Sequence, residues 1–242
     1  MELYFSRLRL RRDPSVEALR QLIDPQDSSR RVDAHHRLLW SVFADGPERK
    51  RDFLWRVEKS GLFYVLSHRK PMSNDLFETP DIKTFAPVLS RGDRLRFVLR
   101  ANAVRSVPCT DGNGLRRRGR KVDVAMHLLK DVPGASSGEG QGGRTRKALR
   151  YALATEASQA WMERQGLKHG FSLDEDQFVL DDYSTVTLPG YRGKRESEPR
   201  FGIFDMKGVI TVEDPESFSR QLGEGFGRAK AFGLGLMLIR RV

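Results

Sequence analysis

The segment Arg94-Leu95-Arg96-Phe97-Val98-Leu99-Arg100 limits the possible folds more than any other stretch. Leu95, Phe97 and Leu99 take every second position between arginines. A period of two belongs to a β-strand, and this strand can bury only one face. Strands of this kind make antiparallel sheets with helices over one side. Residues 3–10 also alternate, with one slip between Phe5 and Leu8. Residues 53–58 and 63–67 read as a hairpin around Lys59-Ser60-Gly61. Asp13-Pro14 opens a short helical piece through Leu22, and residues 33–44 carry Leu39, Trp40 and Phe43 at helical spacing. Asp33 is the expected N-cap of that second helix. With one short helix in the Pro-rich residues 71–90, the first hundred residues read β-α-β-β-α-β, closed by the strand at 94–100. That is the ferredoxin-like order.

The second half gives the same order. A strand is expected near 122–126, a helix over 147–165, strands over 171–180 and 201–212, and a helix over 215–222. Asp214, Pro215 and Glu216 supply a cap, a first-position proline and a first-turn acid. The expected class is α+β, with two tandem ferredoxin-like (RRM-like, β-α-β-β-α-β) domains over 1–107 and 108–242. The halves share element order without a residue-level repeat. Residues 134–143, rich in glycine, read as an insert.

Lys and Arg number 43 against 32 Asp and Glu, a formal net charge of +11. Such an excess favours a polyanionic partner, most commonly nucleic acid. No apolar run is long enough to span a bilayer, and residues 1–5 lack the layout of a signal peptide. No membrane association is expected, and a cytoplasmic location fits. Cys109 is the single cysteine, so an internal disulfide and a cysteine-based zinc site are excluded.

The cations cluster. Arg116, Arg117, Arg118, Arg120 and Lys121 form one group, and Tyr191, Arg192, Lys194 and Arg195 read as the tip of a protruding hairpin. Cations meet phosphates, and a tyrosine beside an arginine can stack on an exposed base. Gly225, Gly227, Gly233 and Gly235 frame Arg228 and Lys230 ahead of an apolar final strand. Glycines permit a tight loop and close backbone approach, and exposed amides with two cations suit phosphate oxygens. A plain helix-to-strand turn would need the same glycines.

Of the five histidines, His35 and His36 stand out. Histidine titrates near neutral pH and exchanges protons with reacting groups. His36, Trp40 and Phe43 share a helical side at i, i+4, i+7; His35 lies beside Leu39 and Val42. A position near a helix N-terminus would favour the neutral imidazole. Asp33, His35 and His36 lack the i, i+4 spacing of helical metal ligands, so no metal is expected. No P-loop or dinucleotide fingerprint appears, and no cofactor is expected.

Six segments in order resemble one family. They are Ala34-His35-His36-Arg37-Leu38-Leu39-Trp40, Arg51-Asp52-Phe53-Leu54-Trp55-Arg56-Val57-Glu58, Leu95-Arg96-Phe97-Val98-Leu99-Arg100-Ala101-Asn102, Glu156-Ala157-Ser158-Gln159-Ala160-Trp161-Met162, residues 204–215 and residues 225–238. The chain resembles the CasE family, the CRISPR RNA-processing endoribonucleases of the type I-E Cascade complex. The resemblance implies two ferredoxin-like domains. It implies metal-independent cleavage of precursor CRISPR RNA on the 3′ side of the repeat hairpin, leaving a 2′,3′-cyclic phosphate and a 5′-hydroxyl. It also implies retention on the product beside the other Cascade subunits. The family's catalytic histidine falls on His36, with His35, Arg37 and Asp33 as supporting candidates. Asp33 stands where familiar members carry tyrosine, and either it orients an imidazole or another residue fills that role. The hairpin at 191–195 corresponds to a strand that wedges at the base of the RNA stem. The alternative expectation is a non-catalytic hairpin RNA-binding subunit or a charged scaffold.

Overall fold

The structure is a computed structural model that describes residues 2–44, 46, 48–59, 61–110, 115–129, 143–188 and 198–242. At 110, 116–118 and 143–148 it describes the backbone alone. The described chain is a mixed α/β molecule built on two four-stranded antiparallel sheets.

The first sheet has β1 (Tyr4–Arg9), β2 (Phe53–Lys59), β3 (Leu62–Ser67) and β4 (Asp81–Thr84), in the order β2-β3-β1-β4. On β1, Ser6 and Leu8 are buried, with Leu10 just beyond; α1 (Pro14–Ala18), α2 (Arg20–Ile23) and α3 (Ser28–Trp40) follow, and α2 and α3 pack on Leu8 and Leu10. Phe5 faces the other side and stacks on Tyr64 at 5.6 Å. Apolar residues on both faces account for the slip in the sequence pattern. Leu8, Leu39, Phe43, Trp55 and Phe63 form the core on the helical side. Each such side chain contributes roughly 1.5–3 kcal/mol on burial.

The second sheet has β5 (Arg94–Ala101), β8 (Phe171–Thr187), β9 (Arg200–Val212) and β10 (Met237–Arg241), in the order β10-β5-β9-β8. A separate hairpin, β6 (Val104–Thr110) and β7 (Arg116–Asp123), leads into α4 (Val124–Leu129) and α5 (Gly143–His169). Helix α6 (Pro215–Glu224) precedes β10. Leu95, Phe97, Leu99, Trp161, Met162, Phe204 and Phe218 pack between this sheet and its helices.

Four expectations change. The alternating strand at 94–101 does not close the first sheet but lies at the centre of the second, between β9 and β10. Residues 81–84 already occupy the free edge of β1, with Tyr4 opposite Thr84 and Arg7 opposite Asp81. The first unit also lacks the second helix expected within 71–90, where the only regular element is β4; Pro71, Pro80 and Pro87 oppose a helix there. Helix α3 starts earlier than expected. Asp27 is its cap, accepting from Arg30 N at 2.8 Å, which leaves Asp33 inside the helix. Finally, the strand expected at 122–126 ends at Asp123, whose carboxylate accepts from Met126 N at 3.0 Å and starts α4.

Asp214 does cap α6, accepting from Glu216 N and Ser217 N. The insert at 134–143 lies outside the described residues, apart from Gly143 at the start of α5.

Candidate active site

Helix α3 buries His35, Leu38 and Leu39 against the first sheet. His36, one residue round the helix, is therefore only half-buried. The two rings have different surroundings. His35 is 2% exposed, with Nε2 2.9 Å from Asp24 Oδ1 and its ring edge-on to Phe63 at 4.9 Å. It is a core residue. His36 meets Phe232 of the glycine-rich loop at 5.6 Å, with the rings at 61°. On its own helix, Trp40 Nε1 donates to His36 Nε2 at 3.0 Å.

The loop reaches His36 because several groups pin it. Gln221 Nε2 donates to Gly225 O, Phe226 N to Gly235 O, Arg228 N to Asn102 O and Gly235 N to Arg100 O. Trp55 Nε1 crosses from β2 to donate to Ala231 O at 3.1 Å. Residues 230–232 form a single 3-10 turn. Gly233, at φ +79°, passes so close to Trp55 that an added Cβ would sit 2.8 Å from Cζ3. Ala229 adopts φ 54°, a left-handed value unusual for a non-glycine residue. Such strain costs of order 1 kcal/mol and persists only where the surroundings enforce it. Val32 of α3, Phe201, Ala229 and Phe232 pack around Val186, Leu188, Ile203 and Leu234 and join the two halves here.

Charge converges on His36. Burial is the largest influence and lowers its proton affinity; Arg51 and Arg37 lower it further, and Asp33 opposes them. Asp33 and Arg37 form an i, i+4 ion pair at 2.7 Å. Arg51, donating to Phe53 O, loses proton affinity chiefly through burial. Lys230 does likewise, with Arg51 as a further cause, and its Nζ donates to Glu224 O at 2.8 Å. Two half-buried cations that disfavour each other make a site suited to an anion.

His36, Arg37, Asp33, Lys230 and Phe232 thus come from distant segments to one place. Histidine spacing and the glycine pattern pointed to two sides of it. Arg51 was missed as a site residue: it lies on an irregular segment ahead of β2, where nothing periodic marks it. His36 also does not lie near the start of α3, so its lowered proton affinity comes from burial and neighbouring cations. Arg228 is exposed on the loop. Arg120 and Lys121 are exposed on β7, whereas Arg116, Arg117 and Arg118 are described only as backbone of that strand. Tyr191, Arg192, Lys194 and Arg195 lie outside the described residues. Among the described residues, no three His, Cys, Asp or Glu side chains gather as metal ligands, and no helix is long and apolar enough to cross a membrane.

A half-buried imidazole of lowered proton affinity thus lies beside half-buried cations and a strained, glycine-rich loop. The chain belongs to the CRISPR associated protein family, whose profile matches residues 3–241. It is similar to the Cascade subunit CasE of Escherichia coli K12, at 26% identity over 208 residues, which cover 84% of this chain and 88% of that protein. It is also similar to the CRISPR-associated endoribonuclease Cse3 of Thermus thermophilus, at 28% identity over 169 residues; the match covers 65% of this chain and 60% of that relative. Among solved structures, Thermus thermophilus Cse3 bound to an RNA representing a pre-cleavage complex superposes with a TM-score of 0.61. That match has 21% identity and covers 99% of this chain and 100% of the other.

Proposed function

We propose that this protein is a metal-independent endoribonuclease that cleaves precursor CRISPR RNA on the 3′ side of the repeat hairpin. It leaves a 2′,3′-cyclic phosphate and a 5′-hydroxyl, and it stays on the product as a cytoplasmic Cascade subunit. The observation that carries this reading is the half-buried His36 facing Phe232 beside Arg51 and Lys230. Family membership and likeness to proteins named CasE and Cse3 support it.

In the proposed reaction the 2′-oxygen attacks the adjacent phosphorus in line, the 2′-proton leaves, and the P–O5′ bond breaks. His36 exchanges the proton with the reacting oxygens, while Arg51 and Lys230 offset charge on the phosphoryl oxygens. His35, buried on Asp24, keeps α3 in place. Arg120, Lys121 and Arg228 are exposed and suited to the RNA backbone, as would be Arg116–Arg118 and the segment with Tyr191, Arg192, Lys194 and Arg195.

The strand orders β2-β3-β1-β4 and β10-β5-β9-β8 support two tandem ferredoxin-like units, the first without its second helix. We place their division within residues 85–93 instead of at 107/108, because β5 pairs wholly in the second sheet.

The test is cleavage of a hairpin repeat RNA in EDTA, beside His36→Ala, His35→Ala and a 2′-deoxy substitution at the scissile nucleotide. Cleavage should survive EDTA and vanish with His36→Ala and with the deoxy substrate. Full activity in His36→Ala would sink the mechanism, and loss in EDTA would replace it with a metal-dependent one. One observation favours a second reading, an RNA-binding subunit without cleavage: the Asp33 carboxylate stands where familiar members carry a phenol. RNA held uncut in every lane is the outcome it expects.

A further inference from the structure

Trp40 lies one helical turn beyond His36, its ring inclined at 70° to the imidazole. Its Nε1 sits 3.0 Å from His36 Nε2. An indole nitrogen can only donate. The shared hydrogen is therefore Trp40's, and Nε2 contributes a lone pair. An imidazole with a free lone pair on Nε2 is neutral and carries its proton on Nδ1. Protonating Nε2 would set two N–H groups against each other. The packing leaves little freedom to avoid this. Phe53 abuts Trp40 edge-on at 5.4 Å, and Phe232 covers His36 at 5.6 Å. The charged groups facing His36 are Asp33 and Arg37 from its own helix and Arg51 from the segment before β2; Arg51 in turn lowers the proton affinity of Lys230 on the loop turn.

We infer that Trp40 is a positioning residue that holds His36 in the Nδ1–H form and covers Nε2 until a substrate hydroxyl displaces the indole. This rests on the reading of His36 as the proton-transfer group. While Trp40 is bonded, neither ring nitrogen offers a free lone pair: Nδ1 carries a proton and the Nε2 lone pair is engaged. Once the 2′-hydroxyl takes the place of the indole N–H, Nε2 is the free acceptor and His36 acts as the base. Nε2 takes the 2′-proton as the O2′–P bond forms and the P–O5′ bond breaks, and the departing 5′-oxygen takes a proton from water. The free protein is thus held in a form that reacts only with a hydroxyl placed to compete for Nε2.

The test uses the full-length protein labelled with nitrogen-15. Long-range proton–nitrogen correlation spectra should show His36 with Nδ1 protonated and Nε2 bare, and a coupling through the hydrogen bond from Trp40 Nε1. Trp40→Phe retains a ring against Phe53. In it, His36 should shift toward the Nε2–H tautomer and its titration midpoint should rise by about half to one pH unit, the equivalent of removing one hydrogen bond. The acidic limb of single-turnover cleavage should move by the same amount with RNA affinity unchanged. A protonated Nε2 in the wild type overturns the inference, whether or not Trp40→Phe folds. An unaltered tautomer and midpoint in a folded Trp40→Phe overturns it too. If instead the spectra behave as expected while His36→Ala still cleaves, the proposed function fails and the tautomer assignment stands.

Discussion

His35 packs against Phe63 and Trp55 and bonds Asp24, whereas His36 emerges toward Phe232. Replacing each with alanine should therefore separate stability from chemistry. His35→Ala leaves a cavity and removes one hydrogen-bond partner of the buried Asp24 carboxylate, which keeps Arg20 and Arg31 near it, a loss of about 1–3 kcal/mol measurable by urea denaturation. Its single-turnover cleavage, measured well below the melting temperature, should stay within a few-fold of wild type. Both imidazoles have proton affinities lowered chiefly by burial. Their folded values lie below the unfolded value near 6.5, so below about that pH the unfolded chain binds protons the folded chain does not. Their contribution to stability is then fully present above about pH 6.5 and is lost as pH falls through the folded values. The urea midpoint should drop from pH 7.5 to pH 5.5, and His36→Phe should flatten part of that slope. At this scale the sequence was partly legible. Helical spacing put His36 with Trp40, but the buried stripe of α3 could not be told from its neighbouring face, because apolar residues occur on both.

Two elements position the proposed site, α3 and the loop between α6 and β10. The cap of α3 is Asp27, so Asp27→Ala should cost about 1 kcal/mol in thermal melts, while Asp33→Ala leaves the helix start intact. The sequence pattern pointed to Asp33 as the cap; the helix instead begins behind Asp27, and its early turns are tied to the Asp24–His35 contact, across 11 positions, that local pattern cannot reveal. The loop was more legible, since all four of its glycines have positive φ. Gly233→Ala combines an unfavourable φ with a clash on Trp55. It should cost about 1–3 kcal/mol of stability and reduce cleavage by displacing Phe232, as melts and single-turnover rates would show.

Across the molecule, antiparallel sheets with helices over one face were legible from alternation alone. The partners of the clearest strand were not. Residues 94–101 fit either sheet by pattern, and what decides is competition for the edge of β1, which the short β4 wins. The net charge of +11 acts at this scale too. RNA affinity should fall linearly on a log–log plot against salt, and replacing exposed Arg120 and Lys121 with alanine should reduce the slope by roughly 0.7–0.9 for each phosphate that is no longer neutralised. The contact between His36 and Phe232 has a further consequence. One half of the chain owns the imidazole and the other owns the loop, with Val88, 83% exposed, on the stretch between them. A chain broken after Pro87 would give two inert pieces whose recombination restores cutting. The enzyme could then serve as its own split reporter, with RNA cleavage as the signal that two tethered proteins have met.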